Sequence, residues 1–199
     1  AFTAVGTVEA KYNLEKNCPS CNKDLSEQQL VSNNNPCCSF CGSCNGGWPH
    51  WAFDYIRSVG VVEEACLPYF SSGHGIRPVD NCPICSGWQS KTFKIREYRS
   101  VPPNFDEIKR TLICKGPLAV ASMKWEHAIV LVGYDDDNPI CKSKYGKNGC
   151  WIIRNSWGVI NGWATKVWHE NGYGYIPYEG HEYSDLIYYV LYVEGVIEP

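Results

Sequence analysis

Twelve cysteines fall within 199 residues, and seven of them lie between Cys37 and Cys85. Thiols at that density persist as stable pairs only where the surroundings are oxidising, so the chain is expected to carry a disulfide framework and to lie outside the cytosol. In C-P-S-C, Pro19 suits the second position of a β-turn, whose ends approach within about 7 Å, a separation that overlaps what a disulfide needs. Cys18 with Cys21 is therefore feasible, and the same local geometry fits Cys82 with Cys85. Cys141 and Cys150 bracket KSKYGKNG and are expected to staple a hairpin. A different chemistry also fits the spacing. Cys18-x2-Cys21 and Cys38-x2-Cys41 match a four-thiolate zinc module.

The charge balance narrows the partners. Eighteen Lys and Arg against 21 Asp and Glu leave a net charge of −3 with no dense basic stripe, so nucleic acid has nothing to hold. The longest apolar runs, 128–132 and 186–193, fall far short of the roughly 20 residues needed to span a bilayer, and no membrane partner is expected. The chain opens on Ala1 rather than Met and shows no leader pattern, which predicts residues upstream of it.

Periodicity divides the chain into a helical half and a β half. Phe2, Val5, Val8 and Tyr12, with Ala1 and Ala4, recur at helical steps and predict a core helix over 1–16. Ser26-Glu27-Gln28-Gln29 has the form of a capping box ahead of a short second helix. Pro49 suits the first turn of a third helix, which Gly60 should end. Residues 66–88 are rich in Pro, Gly and Ser without a steady period and are expected as a long cysteine-held loop. Downstream, Asn104 reads as a helix cap, while TFKIREY, PLAVAS, HAIVLVGY, CWIIRNSW and DLIYYVLYV read as strands. The expected fold class is α+β, with a helical lobe over 1–88 and a mostly antiparallel β lobe over 89–199.

Five segments in order then carry a resemblance: Ala1-Phe2 opening the first helix, Leu25 to Val31, Cys44-Asn45-Gly46-Gly47, His127-Ala128 before an apolar strand, and Asn155-Ser156-Trp157-Gly158. This pattern resembles the papain-like cysteine peptidases, whose motifs are Q-G-x-C-G-S-C-W-A-F, LSEQxLV, C-x-G-G, a His before a strand, and N-S-W-G. The resemblance implies a two-lobed fold, with an antiparallel β-barrel-like C-terminal lobe and an active-site cleft between the lobes. It implies His127 and Asn155 as catalytic residues and Trp157 as a shield over their hydrogen bond. Gly46 and Gly47 would offer open backbone groups to an extended peptide, Trp48 and Pro49 would line the pocket for the second residue before the scissile bond, and Ala128 would form its floor. On this alignment the chain begins just after the nucleophilic Cys-Trp, so the nucleophile and the oxyanion-hole Gln are expected to lie outside it. The Cys41-Gly42-Ser43-Cys44 and Trp51-Ala52-Phe53 segments imitate the motif without completing it.

The chemistry explains the grouping. A thiol with a pKa of about 8.5 becomes a strong nucleophile when an imidazolium beside it stabilises the thiolate. His127 would supply that imidazolium and Asn155 would orient its ring, as the third member of a triad does. The cysteine spacing resembles the cathepsin B branch, which implies Cys37 with Cys82, Cys38 with Cys41 and Cys66 with Cys85, the first and last of these pairings competing with a local Cys82 to Cys85 bridge. Cys44 would bond a cysteine upstream of Ala1, and Cys114 is expected as a buried free thiol. His74 lies where that branch carries an occluding loop and is read as a solvated loop residue. Between PLAVAS and His127 only MKWE remains, where most relatives have about twenty residues or more. No cofactor is needed. The expected function is cysteine-type proteolysis by a monomer acting on peptides or proteins, with a propeptide or protein inhibitors as further partners. The alternatives are a catalytically inactive papain-like peptide-binding protein and the zinc module.

Overall fold

A computed structural model describes residues 1–31, 36–43, 45–70, 82–158 and 167–199. The chain divides into two compact units, Ala1–Tyr98 with Val193–Pro199, and Arg99–Tyr192.

In the first unit, α1 (Phe2–Glu15) forms without a side-chain cap and buries Thr3, Ala4, Val5, Thr7 and Val8. Its apolar stripe is broader than the sequence suggested, because Thr7 turns its hydroxyl onto the Thr3 carbonyl at 2.7 Å and enters the core with its polar group satisfied. Phe2 stays 37% exposed and meets the Tyr69 ring edge-on. Helix α2 (Gln28–Val31) begins as expected, with the Gln29 amide donating to Ser26 Oγ at 3.3 Å. The second half of the capping box does not form. The Gln29 side chain instead donates to Tyr55 Oη and to the Gly60 carbonyl and accepts from the Val62 amide, tying three segments together from a fully buried position. Helix α3 (Pro49–Ser58) carries Pro49 in its first turn, and Gly60 follows it with φ +99°. Val62, Leu67 and Cys37 form a small core against Cys66, Cys82, Ile84 and Trp88. A 3-10 turn (Trp88–Lys91) leads to β1 (Lys94–Ser100), which lies beside the last strand, β7 (Val190–Ile197).

In the second unit, Asn104 caps α4 (Phe105–Lys115) by accepting from the amides of Asp106 and Glu107 at 2.9 and 3.2 Å. Strands β2 (Leu118–Ser122), β3 (His127–Asp135), β4 (Cys150–Arg154), β5 (Trp168–Glu170) and β6 (Tyr173–Pro177) follow, with α5 (Pro139–Tyr145) between β3 and β4. The strand order here is β7-β2-β3-β4-β6-β5 with antiparallel neighbours. Among the described residues the sheet does not close, and its combination of helices with an antiparallel sheet is the α+β architecture expected. Leu118, Val120, Ile129, Leu131, Trp151 and Ile153 present one apolar face, against which Ile108 and Leu112 of α4 and Leu186 and Ile187 pack.

Two sequence expectations change in this unit. KSKYGKNG is no hairpin: Asn138 caps α5, Pro139 occupies its first turn and Gly146 ends it in the left-handed conformation. DLIYYVLYV is also only half strand, since Glu182–Tyr188 forms a 3-10 helix before β7. Tyr183, Leu186 and Ile187 are its buried residues, and their spacing of three and four is helical. Among the described residues, no helix is long and apolar enough to cross a membrane.

The cysteine framework closes as Cys18–Cys21, Cys37–Cys82, Cys38–Cys41, Cys66–Cys85 and Cys141–Cys150, with Cα separations of 5.0–6.1 Å. The local Cys82 to Cys85 bridge is not used. The four sulfurs of the zinc alternative are consumed in two disulfides, which leaves no thiolates there to ligate a metal. Cys114 is free but exposed, contrary to the buried thiol expected. Ile108 and Leu112 set the inward face of α4, and Cys114 lies about 200° around the helix from Leu112 at 100° per residue. Cys44 and His74 fall outside the described residues.

Candidate active site

The register of the sheet explains why His127 and Asn155 meet. Val130 pairs with Arg154 and Leu131 with Ile153, so extending the ladder by one residue sets Asn155 opposite Ile129. Side chains alternate faces along a strand, and His127 therefore shares the face of Ile129 and sits diagonally from Asn155. Strand β2 ends on the same level, with Ser122 paired to His127.

His127 Nε2 lies 3.0 Å from Asn155 Oδ1. The same oxygen accepts the Ser156 backbone N–H at 2.8 Å, and an amide N–H can only donate. That bond fixes which end of the carboxamide faces inward, so Nε2 must be the donor to Oδ1 and the neutral ring carries its proton there. Nδ1 is left with the lone pair. The arrangement leaves Asn155 Nδ2 buried without a hydrogen-bond partner among the described residues, although Asn155 as a whole is only 5% exposed.

Aromatic rings enclose the imidazole. The Trp157 ring centroid stands 4.5 Å from that of His127, and Trp125 stands 4.9 Å away on the turn before it. Trp125 meets Trp157 edge-to-face at 6.0 Å and stacks on Tyr183 at 4.9 Å with an interplanar angle of 11°. Burial in this setting lowers the His127 pKa from its ordinary 6.5, while the bond to Asn155 opposes the fall. Trp125 and Tyr183 were not singled out from sequence. The available signal was the short MKWE connection, which leaves Trp125 two residues from His127.

The proposed substrate residues are placed individually. Gly46 exchanges both backbone hydrogen bonds with Ser43, at 2.9 and 3.0 Å, so its groups are not open to a peptide as expected. Gly47 is exposed, and a Cβ there would stand 2.3 Å from the Cys41 carbonyl oxygen, which reserves the position for glycine. Trp48 is half-buried, Pro49 is buried in the first turn of α3, and Ala128 pairs with Ala121 between β3 and β2. His181 gains a role that the sequence did not suggest: it caps the 3-10 helix, its Nδ1 accepting the Tyr183 amide at 3.2 Å.

A family model described as "Papain family cysteine protease" matches residues 1–126. The chain belongs to the papain family of cysteine proteases. Its relatives extend the match past that point. Falcipain-2b of Plasmodium falciparum (isolate 3D7) is 30% identical over 197 residues, covering 87% of this chain and 36% of its own length. Cathepsin L 1 of Paramecium tetraurelia is 30% identical over 182 residues, covering 84% of this chain and 50% of its own. The fold is shared with the structure of digestive procathepsin L2 proteinase from Tenebrio molitor larval midgut, at a TM-score of 0.71 and 21% identity over 98% of this chain and 60% of that one. These relatives carry falcipain and cathepsin L names, whereas the cysteine spacing had pointed toward the cathepsin B branch. The chain spans about a third to a half of the length of the curated relatives. The five disulfides among the described residues fit an oxidising compartment.

Proposed function

We propose that the complete protein is a cysteine peptidase in which His127 and Asn155 serve a thiolate supplied by residues preceding Ala1. Support comes chiefly from one observation: Asn155 Oδ1, anchored by the Ser156 N–H, holds the Nε2–H of His127 and so frees Nδ1 for proton transfer. With its proton passed to Nδ1, the imidazolium stabilises the thiolate. The thiolate attacks the scissile carbonyl carbon, the carbon–nitrogen bond breaks, and the Nδ1 proton goes to the departing amine. Water, deprotonated by the same nitrogen, then hydrolyses the thioester and restores the thiol. Beyond the thiol that precedes Ala1, each step uses only His127 and water. The family's C-W-A-F motif, of which Ala1-Phe2 supply the last two letters, implies where the cysteine lies. The resemblance also assigns Gly47, Trp48, Pro49 and Ala128 to an extended peptide or protein substrate, with a two-lobed organisation, a monomeric protein and a propeptide or protein inhibitors as partners. Secretion or residence in a lysosome or vacuole fits the disulfide framework.

The test is the complete protein, expressed with a Q-G-x-C-G-S-C-W segment ahead of Ala1. Thiol-dependent cleavage of peptide substrates that His127→Ala abolishes is the expected result. Full activity in His127→Ala would remove that residue from its role, and thiol-independent cleavage would remove the whole mechanism.

A further inference from the structure

The turn that launches β3 at His127 is held from outside its own strands. Asp185, on the 3-10 helix, accepts Ser122 Oγ–H at 2.5 Å through one carboxylate oxygen and the amides of Met123 and Lys124 at 2.8 and 3.1 Å through the other. Ser122 Oγ in turn accepts the Trp125 amide at 3.0 Å. Thus one carboxylate ties down residues 122–124 directly and 125 through Ser122. The next residue, Glu126, has φ +53°, a conformation unfavourable for a side chain with a Cβ, and His127 follows immediately. The helix that carries Asp185 also carries Tyr183, the platform on which Trp125 stacks. Asp185 and Tyr183 are two residues apart, and both act on the turn: one grips its backbone and the other supports the ring beside the imidazole.

We propose that Asp185 is a positioning residue for His127, acting through the 122–126 turn to set the imidazole between Trp125 and Trp157 and within reach of Asn155. This inference rests on the cysteine-peptidase function proposed above. Its physical basis is that β2 ends at Ser122 and β3 begins at His127, so the four-residue connection has little length over which to absorb an error. The backbone amides of Met123 and Lys124 point to the carboxylate. Without it they would turn to water, and the left-handed residue at 126 would lose the constraint that sustains its strain. A shift of the ring by about 1 Å can cost on the order of 100-fold in rate.

The experiment compares Asp185→Ala and Asp185→Asn in the complete protein. An asparagine oxygen can still accept the two amides while its Nδ2 donates to Ser122 Oγ, so it should preserve most of the network. In Asp185→Ala, kcat should fall by about 10- to 100-fold with little change in KM, the mark of a group that matters at the transition state and not in substrate binding. In Asp185→Asn, kcat should remain within about fivefold of the parent, as a lost carboxylate charge replaced by a neutral acceptor would permit. In parallel, 15N spectra of the His127 ring, recorded above its pKa in proteins whose nucleophilic cysteine is replaced by alanine so that no thiolate holds the ring charged, report its tautomer. The parent should show a single Nε2–H species and Asp185→Ala a mixture, with the fold checked by circular dichroism. Equal kcat and an undisturbed Nε2–H in a folded Asp185→Ala protein would overturn the inference while leaving the proposed function intact. If the parent itself cleaves nothing, the proposed function fails, and the ring spectra still decide whether Asp185 positions His127.

Discussion

Glu9 offers the most quantitative test of how the first unit is built. Its carboxylate accepts the Leu25 amide at 2.7 Å, yet burial pushes its pKa up from 4.5 to about 7, with the nearby Glu27, Asp24 and Glu64 carboxylates adding to the rise. Glu27 is pushed up to about 7 for the same leading reason. A carboxyl group that binds its proton more tightly in the folded state contributes full stability below about pH 4.5. That contribution is lost as pH rises toward about 7, where the buried site must ionise. The gap between 4.5 and about 7, at about 1.4 kcal/mol per tenfold change in proton affinity, corresponds to about 3 kcal/mol for Glu9. Glu9→Gln retains an oxygen for the Leu25 amide and removes the charge. At pH 4 the two proteins should be about equally stable. At pH 7.5 the variant should gain about 1–3 kcal/mol, or about 3–10 °C in Tm for a chain of this size, read by thermal melts followed by circular dichroism. A variant that is no more stable than the parent at pH 7.5, or is stabilised equally at both pH values, would refute the linkage.

Two further outcomes follow from the site and the framework. Asn155→Ala removes the bond that opposes the burial-driven fall of the His127 pKa, so the imidazole should titrate still lower than in the parent by NMR; an upward movement would show that Asn155 does not stabilise the charged ring. Replacing Cys37 and Cys82 by alanine opens a loop with a sequence separation of 45, against 3 for Cys18 and Cys21. Loop entropy puts the losses at about 4 and about 1.6 kcal/mol respectively, measurable as denaturation midpoints, and equal losses would contradict the entropic account.

Where a single local rule dominated, the sequence was readable. Pro49 at the start of α3, Asn104 capping α4, and the continuous apolar runs of β2, β3 and β4 each follow from nearest-neighbour chemistry. His127 and Asn155 were also legible, because motif order and strand ends carried them. What sequence missed depends on distant partners. Gln29 abandons its local capping role because Tyr55, Gly60 and Val62 offer a buried side chain three better-placed bonds. Asp185 sits 62 residues from the Met123 amide that it accepts, and no spacing rule links the two. The 3-10 helix before β7 was hidden by β-branched and aromatic residues, although the spacing of Tyr183, Leu186 and Ile187 held the clue.

The central claim, that His127 stabilises a reactive thiolate, is tested most directly by the pH dependence of alkylation. The complete protein, with Cys114 replaced by serine, would be treated with iodoacetamide across pH 3–10, and modification of the cysteine preceding Ala1 followed by peptide mapping. An imidazolium partner predicts rapid modification well below pH 7, and loss of that partner in His127→Ala should move the rise to about pH 8.5, the range of an ordinary thiol. An unchanged profile in His127→Ala would contradict the account.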